Sequence, residues 1–212
     1  MIMDFSQMND DYLRRLYAEI DKYIKTGKQG NLLQSIYNLS DDFIEGLRRE
    51  LFIQLNVLGT YDLKQMKLIS SPILDSYSRF GSEIEKKLKK IFYDNETTFE
   101  EKKLKVNNLM KGSERYAGTL LNTGLGAITQ ATNVSNTIKA GGKYFQYVGA
   151  IAERKFCQTH LNKVYTLNEI NQMDNKQRLP VLFYRGGYNC RHFWKPISEE
   201  QYKQIKGVFL IS

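Results

Sequence analysis

The side chains of this sequence best suited to metal or nucleophilic chemistry are few and clustered. Its two cysteines and two histidines fall in the last quarter, as Cys157-x-x-His160 and Cys190-x-His192, with residues 161–189 between the pairs. Thiolates and neutral imidazoles are the donors of structural zinc sites, and two such pairs would give Cys₂His₂ tetrahedral coordination of Zn2+. A module of about 60 residues is too small for a generous core and gains most from such an ion. Cys-x-His is tighter than the usual ligand spacing, so two other readings stand beside the metal. Cys157 and Cys190 could be buried as small hydrophobes, with His160 and His192 as packing residues, or the cysteines could form one disulfide, which a reducing cytosol disfavours.

The same region offers a catalytic alternative. His160 and His192 as acid and base, with Arg185, Arg191 and Tyr188 near a phosphate, are the residue types of a metal-independent nuclease. A Cys–His nucleophile pair is a further variant. No P-loop, dinucleotide fingerprint, HExxH or paired-carboxylate motif accompanies them, so the chain reads as a non-enzyme, with a small nuclease or toxin effector as the alternative. Gly186-Gly187 reads as a tight turn that presents Cys190 and His192. A phosphate cradle there would need a following helix N-terminus. Arg191 in the same loop could pair bidentately with a carboxylate.

The elements that must position these residues are read from pattern. The 212 residues, 42% of them hydrophobic, can bury a real core, as one large domain or two small ones. The start lacks a secretory signal, and no apolar run approaches the ~20 residues of a membrane span, so the expectation is a soluble, intracellular chain without a membrane partner. Net charge is +8 and uneven. From Arg154 onward ten Lys/Arg face four Asp/Glu, a net of +6, against +2 for the preceding 153 residues. A basic C-terminal part suits a polyanion or an acidic protein surface, or is simply a solvated face.

Residues 1–140 read as helices. Leu13, Leu16, Tyr17, Ile20 and Ile24 mark one face, with Gly27 as the stop. A short segment around Leu32–Tyr37 precedes a separate helix that Ser40-Asp41-Asp42 would cap. Ser71-Pro72 predicts another helix start, and Thr98-x-x-Glu101 a capping box. A break or bend is expected near Gly112-Ser113. The following stretch to Ile138 is rich in Gly, Thr and Asn, so only packing can hold it as a helix. At Gly141 the texture changes. Strands are expected at Tyr144–Val148, Val164-Tyr165, Leu179–Tyr184 and Val208–Ile211, with capped helices after Thr166 and Ser198. The prediction is an α+β fold with two domains: a mostly helical region over 1–140 and a small mixed α/β module over 141–212.

Three stretches together carry a family resemblance. Tyr144-Phe-Gln-Tyr-Val-Gly149, Glu153-Arg-Lys-Phe-Cys-Gln-Thr-His-Leu-Asn-Lys-Val-Tyr165 and Gly186-Gly-Tyr-Asn-Cys-Arg-His-Phe-Trp194 resemble the C-terminal region of tailed-phage minor head proteins. This is the head-morphogenesis family typified by protein F of phage Mu. The match covers about residues 113–197. Asn162 stands where the family has glycine, and His160 and His192 stand where relatives often carry cysteine, swaps that keep ligand capacity. The resemblance implies a structural virion component in the phage head, assembled in the host cytoplasm. Its implied partners are the portal or the major capsid protein, with packaged DNA touching the basic C-terminal part. Residues 1–112 carry no part of the resemblance and are consistent with the variable helical N-terminal part of such proteins. The helical region 1–140 would dock on portal or capsid, and Ser212 would leave no room for the toxin domains fused to some relatives.

Overall fold

Apolar residues recurring every three to four positions build four long helices, and short alternating segments follow them. The computed structural model describes residues 5–26, 32–151 and 153–207, and 72% of these described residues are helical. A small three-stranded antiparallel sheet lies toward the C-terminus, so the fold is α+β with a helical N-terminal region. The order is α1 (Phe5–Thr26), α2 (Leu32–Leu58), α3 (Leu63–Phe92), α4 (Phe99–Lys139), β1 (Tyr144–Val148), α5 (Lys155–His160), β2 (Val164–Thr166), α6 (Leu167–Asn171), α7 (Val181–Tyr184), β3 (Phe193–Ile197) and α8 (Glu199–Lys206). Gly27 and the strand expected over Val208–Ile211 lie outside the described residues. Two compact units divide the chain: residues 1–53 with 70–121, and residues 54–69 with 122–212. That division differs from a boundary at Gly141, because the second unit takes the C-terminal part of α4.

In the first unit, three expected interruptions are absent. Ser40-Asp41-Asp42 lies inside α2 and caps nothing. The Ser40 hydroxyl bonds to the Ile36 carbonyl at 3.0 Å and to the Tyr12 hydroxyl at 2.9 Å, so its oxygen is spent on packing α1 against α2. Tyr12 stacks on Phe43 at 4.6 Å, Phe43 meets Tyr77 edge-on at 4.9 Å, and the Tyr77 hydroxyl donates to Asn9 Oδ1 at 3.0 Å. Pro72 likewise sits inside α3. Its missing donor and ring clash cost about 3 kcal/mol, offset by the buried stripe Ile73, Tyr77, Phe80, Ile84 and Leu88. The third interruption, at Gly112-Ser113, is also continuous helix. The Thr98/Glu101 box does open α4, with the Thr98 N–H donating to Glu101 at 2.8 Å and the Glu101 N–H donating to Thr98 Oγ1 at 3.3 Å.

The second unit is built around β1, the middle strand in the order β2-β1-β3. Alternation sends Phe145 and Tyr147 inward, both fully buried. Register places Phe145 opposite Tyr165 on β2 and Tyr147 opposite Trp194 on β3. β3 was not expected from sequence. It contains Pro196, which a sheet tolerates because β3 is an edge strand. Trp194 is fully buried. Its indole N–H donates to the Val181 carbonyl at 3.1 Å, and the buried Gln130 of α4 bonds to both its backbone N–H and its carbonyl. Leu179–Tyr184, expected as a strand, instead holds the single turn α7 after Pro180. All four α7 side chains are buried, so the run has no period to betray a helix. Capping boxes at Thr166/Glu169 and Ser198/Gln201 open α6 and α8 as expected.

Gly112 lies in unbroken helix with open space where a Cβ would point. Gly112→Ala is therefore expected to raise the stability of the first unit by up to about 1 kcal/mol, measured by thermal or urea unfolding. A neutral or destabilising result would indicate that the helix does bend there.

Candidate metal centre

Three of the four residues singled out above come together. Cys157 is on α5, Cys190 is in the loop before β3, and His192 immediately precedes β3. Their ligand atoms all lie within 4.8 Å of one another, so the group could hold a metal ion. The Sγ atoms are 3.9 Å apart, and Cys190 Sγ is 3.7 Å from His192 Nδ1. Tetrahedral zinc, with bonds of about 2.3 Å to sulfur and 2.0–2.1 Å to nitrogen, would hold two sulfurs about 3.8 Å apart and sulfur and nitrogen about 3.6 Å apart. The Cys157–Cys190 and Cys190–His192 pairs are thus spaced as that geometry requires, and the Cys157–His192 pair lies within 4.8 Å. Both cysteines are free, so no disulfide joins them.

The imidazole tautomer follows from its partner. His192 Nε2 lies 2.8 Å from the Ala150 carbonyl, which can only accept. Nε2 therefore carries the proton in the neutral ring, and the Nδ1 lone pair faces Cys190. Gly149 makes room for this ring, since a Cβ there would meet it at 2.5 Å. Tyr147 also packs on this ring. Its ring stacks parallel to His192 at 5.1 Å, and its hydroxyl sits 3.4 Å from Cys157 Sγ and 3.5 Å from Cys190 Sγ. Burial, and then the two sulfurs, push this hydroxyl far above the ordinary tyrosine range, so it remains a donor.

Backbone geometry completes the cradle. A Cβ at Gly186 would come within 2.4 Å of Cys157 Sγ and 3.2 Å of Cys190 Sγ, so only glycine fits against the two thiols, and its N–H donates to Cys190 Sγ at 3.3 Å. The loop is pinned on several sides. The Tyr188 N–H donates to Gln177, the Asn189 N–H donates to Thr123 of α4 at 2.8 Å, and Asn175 Nδ2 donates to the Arg185 carbonyl at 3.0 Å. Burial raises both thiols. At Cys190 it is outweighed by the hydrogen bond from Tyr147, the backbone N–H groups of His192 and Gly186 and the charge of Arg185, so this thiol falls below its ordinary value. At Cys157 burial prevails and the thiol stays raised.

His160 does not join the group. It ends α5, its ring lies against Phe156 at 4.3 Å, and Nδ1 is hydrogen-bonded to the Tyr165 hydroxyl at 2.7 Å. Burial, then Lys163, holds its pKa below the ordinary histidine value. Arg185, considered above as a phosphate ligand, is 4% exposed, with Nη1 on the Gly126 carbonyl of α4 at 2.5 Å. Gly126 has no room for a side chain, since a Cβ would lie 2.6 Å from Arg185 Nη2. Arg191 and Cys190 border a cleft of about 650 Å3 that Arg154, Glu153 and the other two metal-ligand candidates also line. Sequence reasoning missed Tyr147, Gly149 and the Ala150 carbonyl. Only the alternation that turned Tyr147 inward hinted at them.

No protein-family model matches the chain, and comparison with curated proteins and with solved structures finds no match either. The resemblance to minor head proteins therefore rests on the residues quoted for it.

The geometry predicts which variants keep a metal. The full chain is expected to bind one equivalent of zinc or cobalt, with Cys157→Ser, Cys190→Ser and His192→Ala each lowering affinity at least tenfold. His160→Ala should retain the full stoichiometry. Elemental analysis after gel filtration reads this, and loss of metal in His160→Ala would restore the four-ligand arrangement.

Proposed function

We propose that this chain is a minor head protein of a tailed bacteriophage, a structural component acting in head morphogenesis near the portal. On this reading Cys157, Cys190 and His192 hold zinc, which when bound would act as a cross-link tying α5 to the loop before β3. Two thiolates and one imidazole suit zinc better than magnesium or calcium, which prefer oxygen donors.

The observation that carries the reading is a convergence. The three sequence stretches behind the resemblance are far apart in the chain, yet Tyr147 from the first, Cys157 from the second and Cys190, His192 and Trp194 from the third meet around one centre. Words that recur together in a family are expected to share one structural task. The basic C-terminal part adds a second, weaker support, since neutralising packaged DNA needs positive charge without sequence recognition. The helical region would provide the surface that docks on portal or capsid subunits.

The test is the particle itself. Mass spectrometry of purified procapsids and mature heads from the parent phage should find the chain at a copy number well below that of the major capsid protein. Its absence from heads at every assembly stage would refute the reading. DNA or RNA cleavage by the purified chain, lost in both His160→Ala and His192→Ala, would favour the nuclease instead.

A further inference from the structure

We infer that the metal centre draws only three donors from the protein and takes its fourth from the neighbouring cleft, as the oxygen of a small anion held beside Arg191. This rests on the metal reading above and adds to it a ligand site.

The donor set closes at three. Among the described residues, no other His, Cys, Asp or Glu joins Cys157, Cys190 and His192 in the group. The residue that spacing offered as a fourth, His160, is engaged with Tyr165. Zinc and cobalt bound by thiolate and imidazole favour four ligands, and a site with three protein ligands keeps a position for water or an exogenous donor. The protein also limits where that donor can enter. The Tyr147 hydroxyl lies against both sulfurs, the Gly186 backbone lies against them as well, and the His192 ring is packed against Tyr147 and Gly149. The cleft is the remaining approach, and all three candidate ligands line it.

Charge decides the class of ligand. Two thiolates, a neutral imidazole and a divalent ion sum to zero, so the centre itself does not repel an anion. Arg154 and Arg191 line the cleft against the single carboxylate of Glu153. Arg154 Nη1 is committed to the Gly186 carbonyl at 3.2 Å and so braces the cradle, while Arg191 is exposed beside Cys190. An anionic oxygen, from a carboxylate or a phosphate, meets both the open metal position and the guanidinium.

The experiment uses the full chain loaded with Co2+, whose visible bands report the ligand shell, titrated at constant ionic strength and pH with acetate in one arm and inorganic phosphate in the other. One bound cobalt with a saturable change in those bands is expected. The arm that saturates at the lower concentration identifies carboxylate or phosphate as the preferred source. Arg191→Ala should keep the cobalt and weaken the anion roughly three- to tenfold. Bands that ignore both anions while cobalt stays bound would overturn the inference. A change on Glu153→Gln or His160→Ala would then name the internal donor that fills the position. Failure to bind cobalt at all is separately visible in the stoichiometry and would overturn the metal reading as well.

Discussion

The second unit depends on where Tyr147 is held. As an inward residue of the central strand it is fully buried, and the antiparallel register fixes it opposite Trp194. From that one position its ring stacks on His192, meets Trp194 at 4.6 Å and Phe156 edge-on at 5.9 Å, and its hydroxyl reaches both sulfurs. A one-residue slip of β1 would turn this side chain to the opposite face and remove all of these contacts together. The strand is thus also the ruler that sets the spacing of the candidate ligands. Aromatic packing and ligand geometry cannot be varied independently here.

Electrostatics around that point explain why the site is built from backbone and small residues. Buried sulfur needs donors if it is to ionise, and the Tyr147 hydroxyl and the Gly186 N–H supply them. Gly186 does so only because it lacks a side chain. Arg185 adds a buried positive charge that favours the Cys190 thiolate, and it adopts a left-handed backbone conformation (φ 54°) to reach its place. The adjoining half of α4 is shaped around the same loop. Thr123 accepts from Asn189, Gly126 receives Arg185, and Gln130 bonds to Trp194. The glycine and polar content that weakens this helix locally is therefore used in contacts with the C-terminal module.

Much of this was legible in the sequence where the signal is local. The three capping boxes at Thr98, Thr166 and Ser198 depend on atoms three residues apart, and all three form. Local start and break signals misled where burial could override them. Ser40 gave its oxygen to Tyr12, Pro72 was carried by an apolar stripe, and Gly112 cost less than the helix gained. The α7 turn was hidden because a run buried on every side shows no period. β3 was hidden because its pairing with β1 lies about 50 residues away in the chain. The same division holds at the site. Residue types and spacing identified Cys157, Cys190 and His192, yet spacing cannot say which way a ring turns, and Tyr165 captured His160. The contributions of Tyr147, Gly149 and the Ala150 carbonyl come from long-range packing that no local pattern records.

The central claim is that Cys157, Cys190 and His192 bind one metal ion together. X-ray absorption at the zinc edge of the loaded full-length chain tests it most directly. The account predicts two sulfur donors at about 2.3 Å and the remaining donors nitrogen or oxygen at about 2.0–2.1 Å, with one sulfur lost in Cys190→Ser. A shell of light atoms alone, or a shell unchanged by Cys190→Ser, would contradict it.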